Sequence, residues 1–178
     1  MSENNFKKHR REGYADPSPY PAIAVQQSNI YYAELLIDDY AGMVSEFTAI
    51  SQYLYHHYFF REVDEALGEL LDNIAITEML HMEILAELIR KLGGNPVIRG
   101  GSSTAGTFWS GSFVCYGHQL CDQLQADIQS EQKAIAAYRE HIRIIADPNI
   151  KAILQRIILD EEVHIRLFNK ALAKYCKA

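Results

Sequence analysis

Thr77-Glu78-Met79-Leu80-His81-Met82-Glu83 and Asp160-Glu161-Glu162-Val163-His164 are the stretches from which the rest of the chain can be read. Each sets a Glu and a His three residues apart inside a long helical pattern, so both side chains leave one side of a helix and can grip one metal ion. Upstream of each lies the same string, Glu-x-x-Ala-Ile-x-x-Tyr. It occurs as Glu46-Phe47-Thr48-Ala49-Ile50-Ser51-Gln52-Tyr53 and as Glu131-Gln132-Lys133-Ala134-Ile135-Ala136-Ala137-Tyr138. Four carboxylates and two imidazoles, Glu46, Glu78, His81, Glu131, Glu161 and His164, then make the ligand set of a dinuclear metal site in a four-helix bundle. With 14 Glu and 7 His in 178 residues, random order yields about half of one Glu-x-x-His match, so the bare motif is unspecific. Its recurrence beside a repeated string carries the weight. The rival reading, a Glu and a His on a wet helix face, is opposed by Ile74, Leu85, Ile157 and Phe168, which continue the same faces with apolar residues.

The surrounding pattern is all-α. Leu36, Tyr40, Met43, Phe47, Ile50 and Leu54 recur at spacings of three and four and predict one helix from Asn29 to about Phe60, capped by Ser28 or Asn29. A second helix starts at Asp64 and stops before Gly93-Gly94; a third runs from near Gly117 to Asp147. A fourth, capped by Asp147 with Pro148 at its first position, continues to about Tyr175. Turns near residues 62 and 147 put Glu46 level with Glu78 and Glu131 level with Glu161 and His164. Residues 93–116, rich in Gly, Ser and Thr, read as a crossover along the bundle that joins helices two and three, with Phe108, Trp109 and Phe113 expected to pin it.

Two parts are predicted: an extended or mobile tail over residues 1–28 and the bundle over 29–178. The tail carries the basic cluster Lys7, Lys8, Arg10 and Arg11, then Pro17, Pro19 and Pro21 at alternate positions, which resist helix. It is expected either to drape over a neighbouring subunit or to remain a solvated arm. A net charge of −6 argues against a general nucleic-acid binder. No run of 18 apolar residues suggests a membrane span, and the polar, basic start does not read as a signal peptide. Cys115, Cys121 and Cys176 form no C-x-x-C pair and are expected as buried or half-buried thiols in a reducing cytoplasm.

Buried together, four carboxylates repel unless cations offset them. Two divalent ions do so, and each neutral His then donates its second N–H to an acceptor. Asp160, one turn before His164, and Asp127, one turn before Glu131, are candidates for that support; the alternative for each is a plain surface carboxylate. Tyr53 and Tyr138, two turns beyond Glu46 and Glu131, either hydrogen-bond to the site or serve as core packing. His56 and His57 are expected at an end or the surface, and Met79 as ordinary packing rather than a haem ligand.

At these residues the chain resembles the ferritin-like superfamily of bacterioferritins, rubrerythrins and manganese catalases, over roughly residues 30–173. Within it the chain is most similar to the manganese-catalase group and its short spore-coat relatives. The marks are Tyr40-Ala41-Gly42, Ser51-Gln52-Tyr53-Leu54, Thr77-Glu78-Met79-Leu80-His81-Met82-Glu83, Asp127-Ile128-Gln129-Ser130-Glu131-Gln132-Lys133-Ala134, and Trp109. The resemblance implies Glu46 and His81 as terminal ligands of one ion, Glu131 and His164 of the other, and Glu78 as a bridge. Glu161 is implied as a second bridge, as in bacterioferritin-like sites, or as a carboxylate just outside the metals, as in the catalases. Ala134 stands where rubrerythrins carry a second Glu, which disfavours a rubrerythrin proper.

Carboxylate and imidazole ligands suit two Mn or Fe ions, and a pair of such ions suits hydrogen peroxide or O2. The expected activity is peroxide disproportionation or Fe(II) oxidation, with Glu161 as proton carrier and a homo-oligomer as the assembled form. Two alternatives stand beside it: a coat-forming or structural bundle whose metal serves stability, and iron storage in a shell.

Overall fold

The computed structural model describes residues 11–101 and 106–176. Five helices make the four arms of a bundle: Ile30–Ala41 (α1), Glu46–Val63 (α2), Glu65–Lys91 (α3), Leu120–Ile144 (α4) and Pro148–Tyr175 (α5). The first arm is α1 followed by α2. Helix α2 packs chiefly against α3, and α4 against α5. Among the described residues the only β pairing is a single bridge between Arg99 and Phe108, and no helix is long and apolar enough to cross a membrane.

Capping residues decide most boundaries. Asp64 is the one residue between α2 and α3, and its carboxylate accepts the Ala66 N–H. Asp147 accepts the Asn149 N–H ahead of Pro148. At the end of α3, Gly93 has φ +90°, its N–H bonds to Arg90 O, and the Gly94 N–H bonds to Ile89 O. That pairing satisfies the last carbonyls and needs a residue free of Cβ strain at position 93. The expected single helix over residues 29–60 is instead broken at 42–45. The Ser45 and Thr48 hydroxyls both donate to Gly42 O, and Ser45 Oγ accepts the Thr48 N–H. Local side-chain bonds thus replace the helical ladder and start α2 afresh at Glu46; Met43, counted in the apolar stripe, is more than half exposed.

The core comes in two blocks. One gathers Ala33 to Ala41 of α1, Leu80 to Ile89 of α3 with Leu92 just past it, Ile135 and Tyr138 of α4, and Ile150 to Ile158 of α5. The other gathers Ala49, Tyr53 and Phe60, then Leu67 to Ala75, then Leu124 and Ile128, then Phe168 and Ala171. On every arm a Glu lies in the gap between the blocks: Glu46, Glu78, Glu131 and Glu161. A polar layer is therefore held between two apolar ones.

Two irregular segments lie on the outside. The crossover is stitched to the first arm by Arg99 to Glu34 at 2.6 Å and by the Gly101 N–H to Asp38 at 2.9 Å. It is held further by Trp109 Nε1 to Thr48 Oγ1 at 2.9 Å. Gly101 sits so near α1 that a Cβ would fall 2.5 Å from Glu34 O. Phe108, expected to pin this stretch, is 75% exposed; Trp109 does so, with Phe47 against its ring. Residues 11–28 contain no helix and lie along α5 of their own chain, where Arg156 donates to Asp16 O and Ser18 O. Of the basic cluster, Lys7, Lys8 and Arg10 lie outside the described residues, and Arg11 is exposed.

The cysteine expectation is corrected. Cys121 at the start of α4 and Cys176 just past α5 form a disulfide, and Cys115 alone keeps a thiol. Pairing needs only that two residues far apart in sequence meet where α4 begins and α5 ends, which spacing does not reveal. His56, expected at an end or the surface, stands toward an end of the bundle but is fully buried, its Nδ1 2.8 Å from Asp127 and its Nε2 donating to Cys115 O. His141 of α4 is buried against Asp39 of α1 at 2.7 Å.

Replacing both Cys121 and Cys176 by Ser is expected to lower stability by roughly 4 kcal/mol, from the loop entropy released to the unfolded chain, measured as a lower urea midpoint. For the second buried pair, burial pushes the His141 imidazole down, but the hydrogen bond and charge of Asp39 outweigh it and hold it above its usual value. Asp39 is also raised, because burial disfavours its charge more than His141 favours it. A raised His contributes stability that is full below about pH 6.5 and is lost as pH climbs through the raised value; the Asp39 shift acts in the same direction. His141→Gln is therefore expected to lower the melting temperature most near pH 6, with the gap to wild type narrowing toward pH 8.5. A gap that widens with pH contradicts the ion pair.

Candidate metal centre

Starting α2 at Ser45 makes Glu46 its first residue, where the helix dipole favours a carboxylate. Its side chain turns inward, as do those of Glu78, His81, Glu131, Glu161 and His164; none of the six is more than 3% exposed. They form two overlapping groups, Glu46, Glu78, His81 and Glu161, and Glu78, Glu131, Glu161 and His164, whose ligand atoms all lie within 4.8 Å of one another.

Glu78 and Glu161 belong to both groups because each sends one oxygen each way. His81 Nδ1 lies 2.8 Å from Glu78 Oε2, 3.2 Å from Glu161 Oε1 and 3.6 Å from Glu46. His164 Nδ1 lies 2.8 Å from Glu78 Oε1, 2.9 Å from Glu161 Oε2 and 3.4 Å from Glu131. Glu46 serves only the His81 half and Glu131 only the His164 half.

The outer atoms hold this arrangement. Tyr53 donates to Glu131 at 2.6 Å and Tyr138 to Glu46, so each tyrosine supports the carboxylate of the opposite half. Asp160 accepts from Nε2 of His81 at 3.1 Å, not from His164, its neighbour one turn along α5. A carboxylate four residues before a His on one helix leans back along the axis and reaches across to the facing helix. Asp127 makes its contacts with His56 and Gln52 and with neither imidazole of the cluster. It lies one turn from Glu131 toward the end of the bundle where His56 stands. Sequence reasoning missed Tyr14 and Tyr20: the Tyr14 carbonyl meets His164 Nε2 at 3.0 Å, and the Tyr20 hydroxyl meets His81 Nε2 at 3.0 Å. A proline-spaced segment outside the helical pattern carries no sign of where it docks. Met79, read as packing, is 42% exposed.

Electrostatics follow from burial. Glu46 and Glu131 are driven well above the carboxylate range, first by burial and then by the charges of Glu78 and Glu161. Burial also acts upward on Glu78, but His164 and His81 outweigh it and hold Glu78 low. Burial pushes both imidazoles down, and the anionic groups around them lift both well above the ordinary value. In this state the cluster offsets its charge with protons.

Divalent cations fit the same place. Glu78 Oε1 and Glu161 Oε1 are buried and accept no hydrogen bond, although an imidazole nitrogen is close to each. Both Nδ1 atoms face the carboxylates while both Nε2 atoms point outward to acceptors, the orientation of a metal-binding imidazole. The oxygen-rich donor set with two nitrogens suits Mn(II) or Fe(II).

Comparisons with known proteins place the fold in a family. Residues 41–177 match the family described as ferritin-like domain. A probable manganese catalase of Clostridium acetobutylicum is 30% identical over 170 residues, covering 85% of this chain and 75% of that one. The crystal structure of KatB, a manganese catalase from Anabaena, superposes with a TM-score of 0.81 at 24% identity, over 91% of this chain and 80% of that one. A bacterioferritin of Desulfovibrio desulfuricans, described with a diiron site in different catalytic states, superposes with a TM-score of 0.68 at 26% identity over 81% of each chain.

Protons that neutralise the cluster must leave when cations enter. Mn(II) added at pH 7.5 to metal-free protein is expected to raise the melting temperature and release protons; an ion held a hundredfold above its Kd adds about 2.7 kcal/mol. Calorimetry in buffers of different ionisation enthalpy counts the protons. A melting temperature indifferent to Mn(II) and Fe(II) contradicts the fit.

Proposed function

This chain belongs to the ferritin-like family, and from that premise we propose that it is a dinuclear manganese or iron redox protein that reacts with hydrogen peroxide or O2. One observation carries the reading: Glu78 and Glu161 each divide their oxygens between two sites, and each site has its own imidazole and its own further carboxylate. Glu46, Glu78, His81 and Glu161 would hold one ion, and Glu78, Glu131, Glu161 and His164 the other. When bound, the pair supplies two-electron exchange with peroxide or O2. The four carboxylates match the charge of two divalent ions. The even division of Glu161 favours its bridging role over a place outside the metals.

The protein's own groups do the rest. Tyr53 and Tyr138 fix the orientation of Glu131 and Glu46 by donating to them. Glu161 would carry a proton from a protonated oxidant to the product only when Oε1, which accepts no hydrogen bond in the cluster, is released from holding an ion. The deep burial of all six residues limits what reaches them to a small molecule.

The test is stoichiometry with turnover. Protein loaded anaerobically with Mn(II) or Fe(II) is expected to hold two ions per chain and to consume peroxide or O2. Glu46→Gln should cost one ion and Glu78→Gln both, each with loss of turnover. Two ions bound with neither oxidant consumed, and a large fall in melting temperature on chelation, would assign the site to folding instead. No ions bound would end the proposal.

A further inference from the structure

The outer nitrogens of both imidazoles are met by the same short piece of irregular chain. His164 Nε2 donates to the Tyr14 carbonyl at 3.0 Å. His81 Nε2 lies 3.0 Å from the Tyr20 hydroxyl and 3.1 Å from Asp160 Oδ2, and Tyr20 itself donates to that Asp160 oxygen. The two contacts come from opposite ends of a seven-residue stretch. They reach into the bundle at positions where the imidazoles are fully buried.

The stretch is anchored for the purpose. The Asp16 N–H donates to Asp160 Oδ1 at 2.6 Å. Arg156, itself 4% exposed, donates to Asp16 O at 2.8 Å and Ser18 O at 3.0 Å. It also pairs with Asp160 at 2.8 Å and lies over the Tyr20 ring at 4.1 Å. A planar guanidinium serves a carbonyl pair, a carboxylate and an aromatic face together, which an ammonium cannot. Pro17, Pro19 and Pro21 bring no N–H to satisfy and restrict the chain to extended conformations, which lowers the entropy lost on docking.

We propose that residues 14–20 are a working part of the metal centre: a strap that orients both imidazoles from outside, through the Tyr14 carbonyl at His164 and the Tyr20 hydroxyl with Asp160 at His81. An acceptor on Nε2 keeps the proton there and leaves Nδ1 unprotonated toward the ions. Tyr14, Tyr20, Asp160 and Arg156 are positioning residues on this reading, which rests on the two-ion centre proposed above. The halves are held differently. His164 depends on a backbone carbonyl, whereas His81 depends on side chains and so can be tested one atom at a time.

The experiment uses the full chain loaded with Mn(II), followed by a competing chelator and by electron paramagnetic resonance. Tyr20→Phe removes the hydroxyl and keeps the ring under Arg156. It is expected to weaken one ion ten- to a hundredfold, leave the second at wild-type affinity, and turn the spectrum of a coupled pair into that of a single ion as chelator rises. Tyr32→Phe, which removes a hydroxyl that accepts from the Ala146 N–H away from the site, should keep both ions. Wild-type retention of both ions by Tyr20→Phe overturns the strap. So does equal loss of both, since the hydroxyl touches only the His81 half. Wild-type protein that takes up no Mn(II) overturns the two-ion centre itself and the strap with it.

Discussion

Four carboxylates buried in one layer, with apolar packing above and below, are the constraint on which the rest of this protein depends. Charges removed from water cost several kcal/mol each unless they are compensated on the spot. Here compensation comes first from two imidazoles placed between the carboxylates, and from two tyrosine hydroxyls behind them. The layer falls between the core blocks on every arm, so the bundle cannot close over it unless these groups find one another.

Several buried polar contacts run between the halves of the bundle. Tyr53 supports Glu131 and Tyr138 supports Glu46; His56 pairs with Asp127 and His141 with Asp39. A helix pair that docked out of register would strand a buried polar group at each of these points, at roughly 1–3 kcal/mol apiece. The crossed pairs therefore act on register as much as on the site. The break at residues 42–45 departs from this regularity, and it sets Glu46 at a helix start.

The irregular segments complete the centre. The crossover grips the first arm through Gly101 and Trp109 and reaches His56 through the Cys115 carbonyl. The stretch before α1 grips α5 and reaches both imidazoles of the cluster. Chain that reads as linker by composition contributes hydrogen bonds to fully buried imidazoles. In a low-dielectric interior such bonds orient a ring more firmly than the same bonds at a surface.

Much of this was legible in the chain itself. Helical periodicity, caps at Asp64 and Asp147 and the stop at Gly93-Gly94 mark the arms, because local hydrogen bonding is decided by neighbouring residues. The twinned Glu-x-x-His and Glu-x-x-Ala-Ile-x-x-Tyr strings mark which side chains face inward at one level, since helix geometry fixes direction and height. Everything that depends on contacts between distant segments had to wait for the folded chain. The even sharing of Glu78 and Glu161, the crossing of Tyr53 and Tyr138 to opposite halves and the choice of His81 by Asp160 are of this kind. So are the burial of His56, the Cys121–Cys176 bond and the reach of Tyr14 and Tyr20 into the centre. Periodicity constrains a residue relative to its own helix axis and says nothing of which surface another segment will lay against it; only packing in three dimensions decides that.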